Sequence, residues 1–267
     1  MPTEVKQDVA PYRLAAAVTG TGPDLLLIHG GAGSRNHWLR NVDALSRHFR
    51  VFALDLPGFG LSPDVPGEHG AEAYIELLDE SLAGLGLSGE PLNLVGFSFG
   101  GAVAAALAVK LGGRVAKLSL IGPAGFKRAP GHVLNIRNLR AKYKTAEEYK
   151  AAVRHNLGLM MLWSPDAMTD EAVALHHENV VHTRFDSRIL SQRHSMPGEL
   201  ARLRCRTQIL YGEHDCLALP SVVARIDACF EVMPTATIEI IPAAGHWAQF
   251  ENAAATNRAL LSFLLAS

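Results

Sequence analysis

Leu92-Asn93-Leu94-Val95-Gly96-Phe97-Ser98-Phe99-Gly100-Gly101-Ala102-Val103-Ala104-Ala105-Ala106-Leu107-Ala108 decides how this chain reads. Leu92–Val95 belongs to a short run of the kind buried on both faces of a parallel sheet, and Gly101 to Ala108 is a helical stretch of small residues. Between them, Gly96-Phe97-Ser98-Phe99-Gly100 is a G-x-S-x-G set at a strand-to-helix junction, the sequence form of a nucleophile elbow. The serine must occupy a sharp turn, and the flanking glycines admit backbones that a side chain would repel. The helix amino end then aims its unpaired N–H groups and partial positive charge at the site. Taken alone, the five residues also fit an ordinary glycine-rich turn with a capping serine; the strand before and the helix after favour the elbow.

Working outward, further apolar runs predict strands at Leu25–His29, Val51–Asp55, Leu92–Phe97, Leu118–Gly122, Thr207–Gly212 and Thr237–Pro242. Tyr74, Leu77, Leu78, Leu82 and Leu85 follow the i, i+3, i+4 rule, and Gly84 and Gly86 close that helix. Strand and helix in alternation imply an α/β fold with a mostly parallel, doubly wound sheet. The alternation stops after Gly122 and resumes at Thr207, leaving the 84 residues Pro123–Arg206 without a convincing strand. The expected organisation is therefore a core of residues 1–122 and 207–267 carrying a helical cap, 123–206, over the carboxyl ends of the strands, where ligands of such sheets bind. The cap holds the charged stretch Lys142–Lys150 and an apolar cluster, Leu157–Trp163.

A serine hydroxyl is a weak nucleophile and needs a base, which in turn needs an orienting acid. The chain order serine, acid, histidine suits this fold. Asp215 follows the strand Thr207–Leu210, and His246 stands in Gly245-His246-Trp247 beyond the strand Thr237–Pro242, so both fall at the same sheet edge as Ser98. Glu213 is a rival acid and His214 a rival base, while His176 and His177 are expected to face solvent on a cap helix. His29-Gly30-Gly31-Ala32-Gly33, at the end of the first strong strand, offers an oxyanion loop. One fixed donor of this kind contributes about 10²–10³ in rate in a studied case. The expected donors are the N–H of Phe99 and that of Gly31, with Ala32 as the alternative to Gly31. No Lys-Ser/Thr follows and G-x-G-x-x-G spacing is missing, so neither a phosphate loop nor a dinucleotide fingerprint fits.

Composition narrows the partners. Among 267 residues, 25 Lys and Arg face 26 Asp and Glu for a net charge of −1, which argues against nucleic acid and does nothing to oppose a homo-oligomer. Apolar residues at 48% against 19% charged indicate a folded globular chain. The longest charge-free apolar stretch, Phe99 to Val109, is far short of the about 20 residues that cross a bilayer. Met1 to Val9 carries Glu4, Lys6 and Asp8 and does not read as a signal peptide. Cys205, Cys216 and Cys229 form neither a disulfide framework nor a zinc motif. The expectation is a cytoplasmic protein with free thiols, no metal, no membrane partner and a small-molecule ligand.

Together, His29-Gly30-Gly31, Asp55-Leu56-Pro57-Gly58-Phe59-Gly60, Gly96–Gly101, Gly212–Asp215 and Gly245–Trp247 resemble the α/β-hydrolase superfamily over nearly the whole chain outside the cap. Gly245-His246-Trp247-Ala248-Gln249-Phe250-Glu251 is similar to the segment around the catalytic histidine in hydrolases of aromatic meta-cleavage products. That resemblance implies cofactor-independent carbon–carbon bond hydrolysis of a 2-hydroxy-6-oxo-dienoate, by ketonisation and then hydrolysis, within aromatic compound degradation. It also implies a cap arginine for the substrate carboxylate, Arg184 or Arg188, with an ion pair to Asp186 or Glu178 as the alternative role. Trp247, beside His246, joins them on the substrate side, and Met160, Met161, Trp163 and Phe185 either line the pocket or pack the cap. The chain departs from that group at Phe97, where an asparagine is usual, and in its shorter oxyanion loop; these departures favour a carboxylesterase as the alternative. Related epoxide hydrolases and haloalkane dehalogenases use an aspartate where this chain has Ser98. A small-molecule receptor that retains the triad is the remaining alternative.

Overall fold

A computed structural model describes residues 12–67, 70–89, 91–127, 134–139 and 141–266. Seven strands form one sheet: β1 (Ala15–Thr19), β2 (Asp24–Ile28), β3 (Arg50–Asp55), β4 (Leu92–Phe97), β5 (Val115–Ile121), β6 (Arg206–Gly212) and β7 (Thr237–Ile241). Their order is β1-β3-β2-β4-β5-β6-β7. All neighbours run parallel except β1, which lies antiparallel on β3. The six strands read from the sequence are all present with ends shifted by a few residues at most. β1 escaped that reading because its Ala-Ala-Ala-Val-Thr at an edge stays half-buried to exposed and carries little apolar signal.

Alternation of side chains across the pleat explains the two cores. Leu26, Ile28, Leu94, Leu118, Leu120 and Ile209 join one buried cluster, and Leu25, Leu27, Val95, Ile121 and Leu210 join the other. On the first face pack α2 (Ala71–Leu82), α3 (Phe99–Leu111) and α8 (Val222–Val232); α10 (Ala253–Leu265) covers the second, with α1 (Val42–Leu45) and α9 (Ala248–Glu251) beside it. Helix α3 is buried almost all round, as its unbroken run of Ala, Gly and Val requires. In α2, Ile75 joins Tyr74, Leu78 and Leu82 in the buried stripe, while Leu77 is half-buried.

Between β5 and β6 the described residues form helices only: α4 (Ala146–Met160), α5 (Asp170–Val181), α6 (Arg188–Ser191) and α7 (Met196–Arg202). Val153, Leu157, Ala172 and Val173 from α4 and α5 belong to one sheet-face cluster, and Leu190, Met196 and Leu200 to the other. The helical segment is thus knitted into both cores. Among the described residues, no helix is long and apolar enough to cross a membrane.

Candidate active site

Register aligns the carboxyl ends of four neighbouring strands. Phe97 pairs with Ile121, Ile121 with Leu210, and Gly212 with Ile241. Bonds beyond the strands continue that ladder: Ser98 N–H donates to Ile121 O at 2.9 Å, Gly122 N–H to Leu210 O at 2.8 Å, and His214 N–H to Ala244 O at 2.9 Å. Ser98, Gly122, Asp215 and His246 therefore come to one edge, and all four line a cavity of about 380 Å³. That volume suits a small-molecule ligand.

Ser98 has φ 53° and ψ −116°, a region that residues with a Cβ avoid. The turn is tight because its neighbours nearly touch other chain segments. A Cβ on Gly96 would come within 2.4 Å of Gly100 O, and one on Gly100 within 2.3 Å of Ile28 O and His29 O. Both glycines of the motif are thus required by close approach.

His246 Nδ1 lies 2.9 Å from Asp215 Oδ2, and both residues are 4% exposed. An ionised carboxylate only accepts, so Nδ1 carries the proton and Nε2 presents a lone pair. Nε2 has no hydrogen-bond partner among the described residues. The other Asp215 oxygen accepts from Leu217 N–H at 2.9 Å. Gly122, at φ 47°, sits behind the pair: a Cβ there would lie 2.9 Å from Asp215 Oδ2 and 3.0 Å from His246 Nδ1. Phe97 packs its ring 5.0 Å from the His246 imidazole, so the residue before the serine helps hold the histidine.

Glu251 fastens the histidine loop to the helical segment. Its carboxylate accepts from Gly245 N–H at 2.7 Å, Ser164 N–H at 2.6 Å and Trp163 N–H at 3.0 Å, while Trp247 N–H donates to Met161 O at 2.7 Å. On the serine side, a Cβ on Gly30 would lie 3.3 Å from Ser98 Cβ, and one on Gly31 would lie 2.6 Å from Ser187 Oγ and 3.5 Å from Phe99 Cβ. Gly30 N–H donates to His37 Nδ1 at 3.2 Å. Phe99 opens α3, so its N–H has no carbonyl one turn earlier in the helix. Gly31 and Phe99 abut the serine turn without lining the cavity wall.

Several expected residues lie elsewhere. Glu213 accepts from Ala243 N–H at the surface and leaves His246 to Asp215, and His214 stacks on Trp163 with ring centroids 3.8 Å apart. Arg184 binds Asp64, with its guanidinium also donating to the carbonyls of Gly60, Ser62 and His182, and Arg188 pairs with Asp186 at 2.6 Å. Neither arginine lines the cavity, because each finds an acceptor close to its own backbone. Trp247 is fully buried behind His246, its indole N–H donating to His37 O, and does not line the cavity either. Phe185 stacks on Tyr74, Met161 packs in the core, and Trp163 is 51% exposed. His176, expected at the surface, is buried on α5, and burial pushes its pKa down to about 4; His177 stays outside, beside Tyr149. Among the described residues no group of three His, Cys, Asp or Glu side chains is placed to hold a metal ion.

Sequence reasoning missed Tyr211 and Arg225, which also line the cavity. A signal for the second was available. Val222, Arg225, Ile226 and Cys229 stand at i, i+3, i+4 and i+7, which puts the arginine on the inward face of α8.

A doubly wound, mostly parallel sheet with a strained serine turn and a buried histidine–carboxylate pair at its carboxyl edge defines the α/β-hydrolase type of protein. The chain belongs to the alpha/beta hydrolase family, whose sequence model matches residues 25–259. It is 29% identical to a 2-hydroxy-6-oxononadienedioate/2-hydroxy-6-oxononatrienedioate hydrolase of Burkholderia vietnamiensis, covering 97% of this chain and 93% of that one. Among solved structures, it is similar to a thermophilic esterase of Thermogutta terrifontis, at 27% identity and TM-score 0.72 over 94% of this chain and 92% of that one. A meta-cleavage product hydrolase of Pseudomonas fluorescens IP01 shares the fold at TM-score 0.75 and 24% identity, over 94% and 93% of the two chains.

Proposed function

We propose that the protein is a cofactor-independent serine hydrolase of a small carbonyl compound, and that its substrate is a 2-hydroxy-6-oxo-dienoate cleaved at a carbon–carbon bond. The observation that carries the reading is the His246 Nε2, which has no partner among the described residues, in the cavity that Ser98 lines, with Asp215 fixed on the opposite ring nitrogen. The dienol ketonises first, moving a proton from oxygen to carbon. Ser98, or a water that it activates, then adds to the ketone carbonyl, and His246 takes the displaced proton. The carbon–carbon bond breaks with its electron pair on the dienoate fragment, which receives that proton; the acyl fragment leaves as a carboxylic acid directly where water has added, or as an ester on Ser98 that one water then hydrolyses, so the net change is addition of one water across the bond. Asp215 holds the imidazole tautomer and stabilises the imidazolium. The N–H groups of Phe99 and Gly31 receive the developing oxyanion. Residues 123–206 act as the cap; the supporting observation is that Phe126, Leu134, Ile136 and Ser191 line the cavity.

The relative from Burkholderia supports the carbon–carbon reading, and the Thermogutta esterase supports hydrolysis of small carboxylic esters as the second. Incubation with a coloured dienoate ring-fission product and with p-nitrophenyl acetate separates them. Bleaching of the dienoate with the higher kcat/KM is expected, and turnover of the ester alone would reverse the order. Ser98→Ala should lose most turnover, since removing a nucleophile of this kind costs on the order of 10⁶ in kcat in a studied enzyme. Unchanged turnover in that variant would refute the serine mechanism.

A further inference from the structure

Two polar side chains on the cavity wall have no nitrogen or oxygen partner among the described residues. Arg225 is 9% exposed, lies with its guanidinium carbon 4.2 Å from the centre of the Phe126 ring, and lines the wall that holds Ser98 and His246. Among the described residues no carboxylate reaches ion-pair distance of it, and no hydrogen-bond acceptor takes its N–H groups. A largely buried guanidinium gains most from a partner that takes up its charge and donors, because burial strips away part of its water. Tyr211 lines the same wall, and among the described residues its buried hydroxyl meets no nitrogen or oxygen partner. The neighbouring Cys229 thiol is a weak hydrogen-bond partner, and burial pushes the Tyr211 pKa well above the usual phenol value, so the hydroxyl keeps its proton.

Among the described residues the remaining acidic and basic side chains on the cavity wall, besides His246, are Lys127 and Asp215. The Asp215 carboxylate is committed to His246 Nδ1 and Leu217 N–H. Among the described residues two cations thus share the wall with one carboxylate that is already engaged, which leaves the guanidinium open to an acceptor that enters the cavity. Phe126 covers one face of the guanidinium, which leaves the planar edge, the part that pairs bidentately with a carboxylate.

We propose that Arg225 and Tyr211 form an anion subsite that anchors the carboxylate of the substrate from core helix α8, in place of the cap residues Arg184 and Arg188. The assignment rests on the serine-hydrolase reading for its catalytic consequence. The binding itself is measured separately. Arg225 sets selectivity for carboxylate-bearing carbonyl compounds over neutral ones of similar size.

The test compares p-nitrophenyl hemisuccinate with p-nitrophenyl acetate as the ratio of their kcat/KM values. Replacing the charged partner in Arg225→Gln should lower that ratio about 10- to 100-fold, the range expected for lost hydrogen bonds to a charged group. Arg225→Lys should restore part of it, and Tyr211→Phe, which removes only a hydroxyl, should lower it several-fold. Arg188→Gln, altered at the surface pair with Asp186, should keep the wild-type ratio. A ratio unchanged in Arg225→Gln, or lowered equally by Arg188→Gln, would overturn the assignment. Tyr211→Phe and Arg225→Lys decide the matter if Arg225→Gln does not fold. Calorimetric binding of succinate to Ser98→Ala, with and without Arg225→Gln, gives a readout free of turnover. Weaker binding in the double variant supports the subsite, and equal binding refutes it. If Ser98→Ala still hydrolyses the esters, the serine mechanism fails while this binding result stands by itself.

Discussion

Replacing Ser98 by glycine and by alanine isolates the backbone strain of the elbow. Both variants lack the hydroxyl, so both remove the proposed nucleophile and differ only by one methyl. Alanine must keep φ 53° and ψ −116° with a Cβ in place, whereas glycine adopts that conformation freely. Strain of this type costs about 1–3 kcal/mol. Glycine gives back about 0.4–1 kcal/mol through its freer unfolded chain. The balance favours Ser98→Gly over Ser98→Ala by about 1 kcal/mol at the middle of these ranges and by about 2.6 kcal/mol at most. At roughly 2–4 °C per kcal/mol for a chain of about this size, the glycine variant should melt a few degrees higher. Thermal unfolding followed by circular dichroism reads the difference directly. A glycine variant that melts below the alanine variant would refute the claim that this turn stores strain.

Gly122→Ala should slow turnover by about 10²-fold, because its Cβ would press on Asp215 and His246 and displace a group whose placement matters to within an ångström. The same change costs about 1–2 kcal/mol for a Cβ at positive φ; a variant with wild-type kcat and melting temperature would count against the role given to this glycine. Glu251→Gln leaves one acceptor oxygen for three N–H groups and should lower stability by about 2 kcal/mol, visible as a drop of several degrees in Tm. An unchanged Tm would mean that water replaces the carboxylate without loss. Acid should destabilise the fold through His29 and His176, whose pKa values burial lowers from 6.5 to about 4. Well above pH 6.5 both states are neutral and stability is complete; as the pH falls through 6.5 toward 4 the unfolded chain takes up the protons and the folded one does not. The loss approaches about 3 kcal/mol per histidine at the lower end. Urea midpoints that stay constant from about pH 7 to about pH 4.5 would contradict it.

Local chemistry made much of this protein legible in the chain. The parallel strands are apolar on both faces because both faces are covered, so their residues announce them; β1 is not covered in this way and stayed silent. Gly96, Ser98 and Gly100 are visible for a related reason, since a turn that crowds backbones against one another leaves few residue types that fit. Asp215 and His246 could be picked by their position after strands, because in a parallel sheet every such position reaches the same edge.

What lies between β5 and β6 was decided only by packing. Arg184 and Arg188 stand in the expected stretch, yet each found an acceptor among neighbours of its own loops, and a charge pairs with whatever lies within a few ångströms. His176 turned inward and His177 outward although they are adjacent, a choice made by how α5 meets the sheet-face core. Arg225 and Tyr211 come from separate elements, and no spacing in the chain says that they share a wall with Ser98. The sequence determined which backbone conformations and buried faces were available, since those are properties of neighbouring residues. Which side chains meet in the cavity, and which are left there without a partner, depends on contacts between distant segments and was settled by the tertiary structure alone.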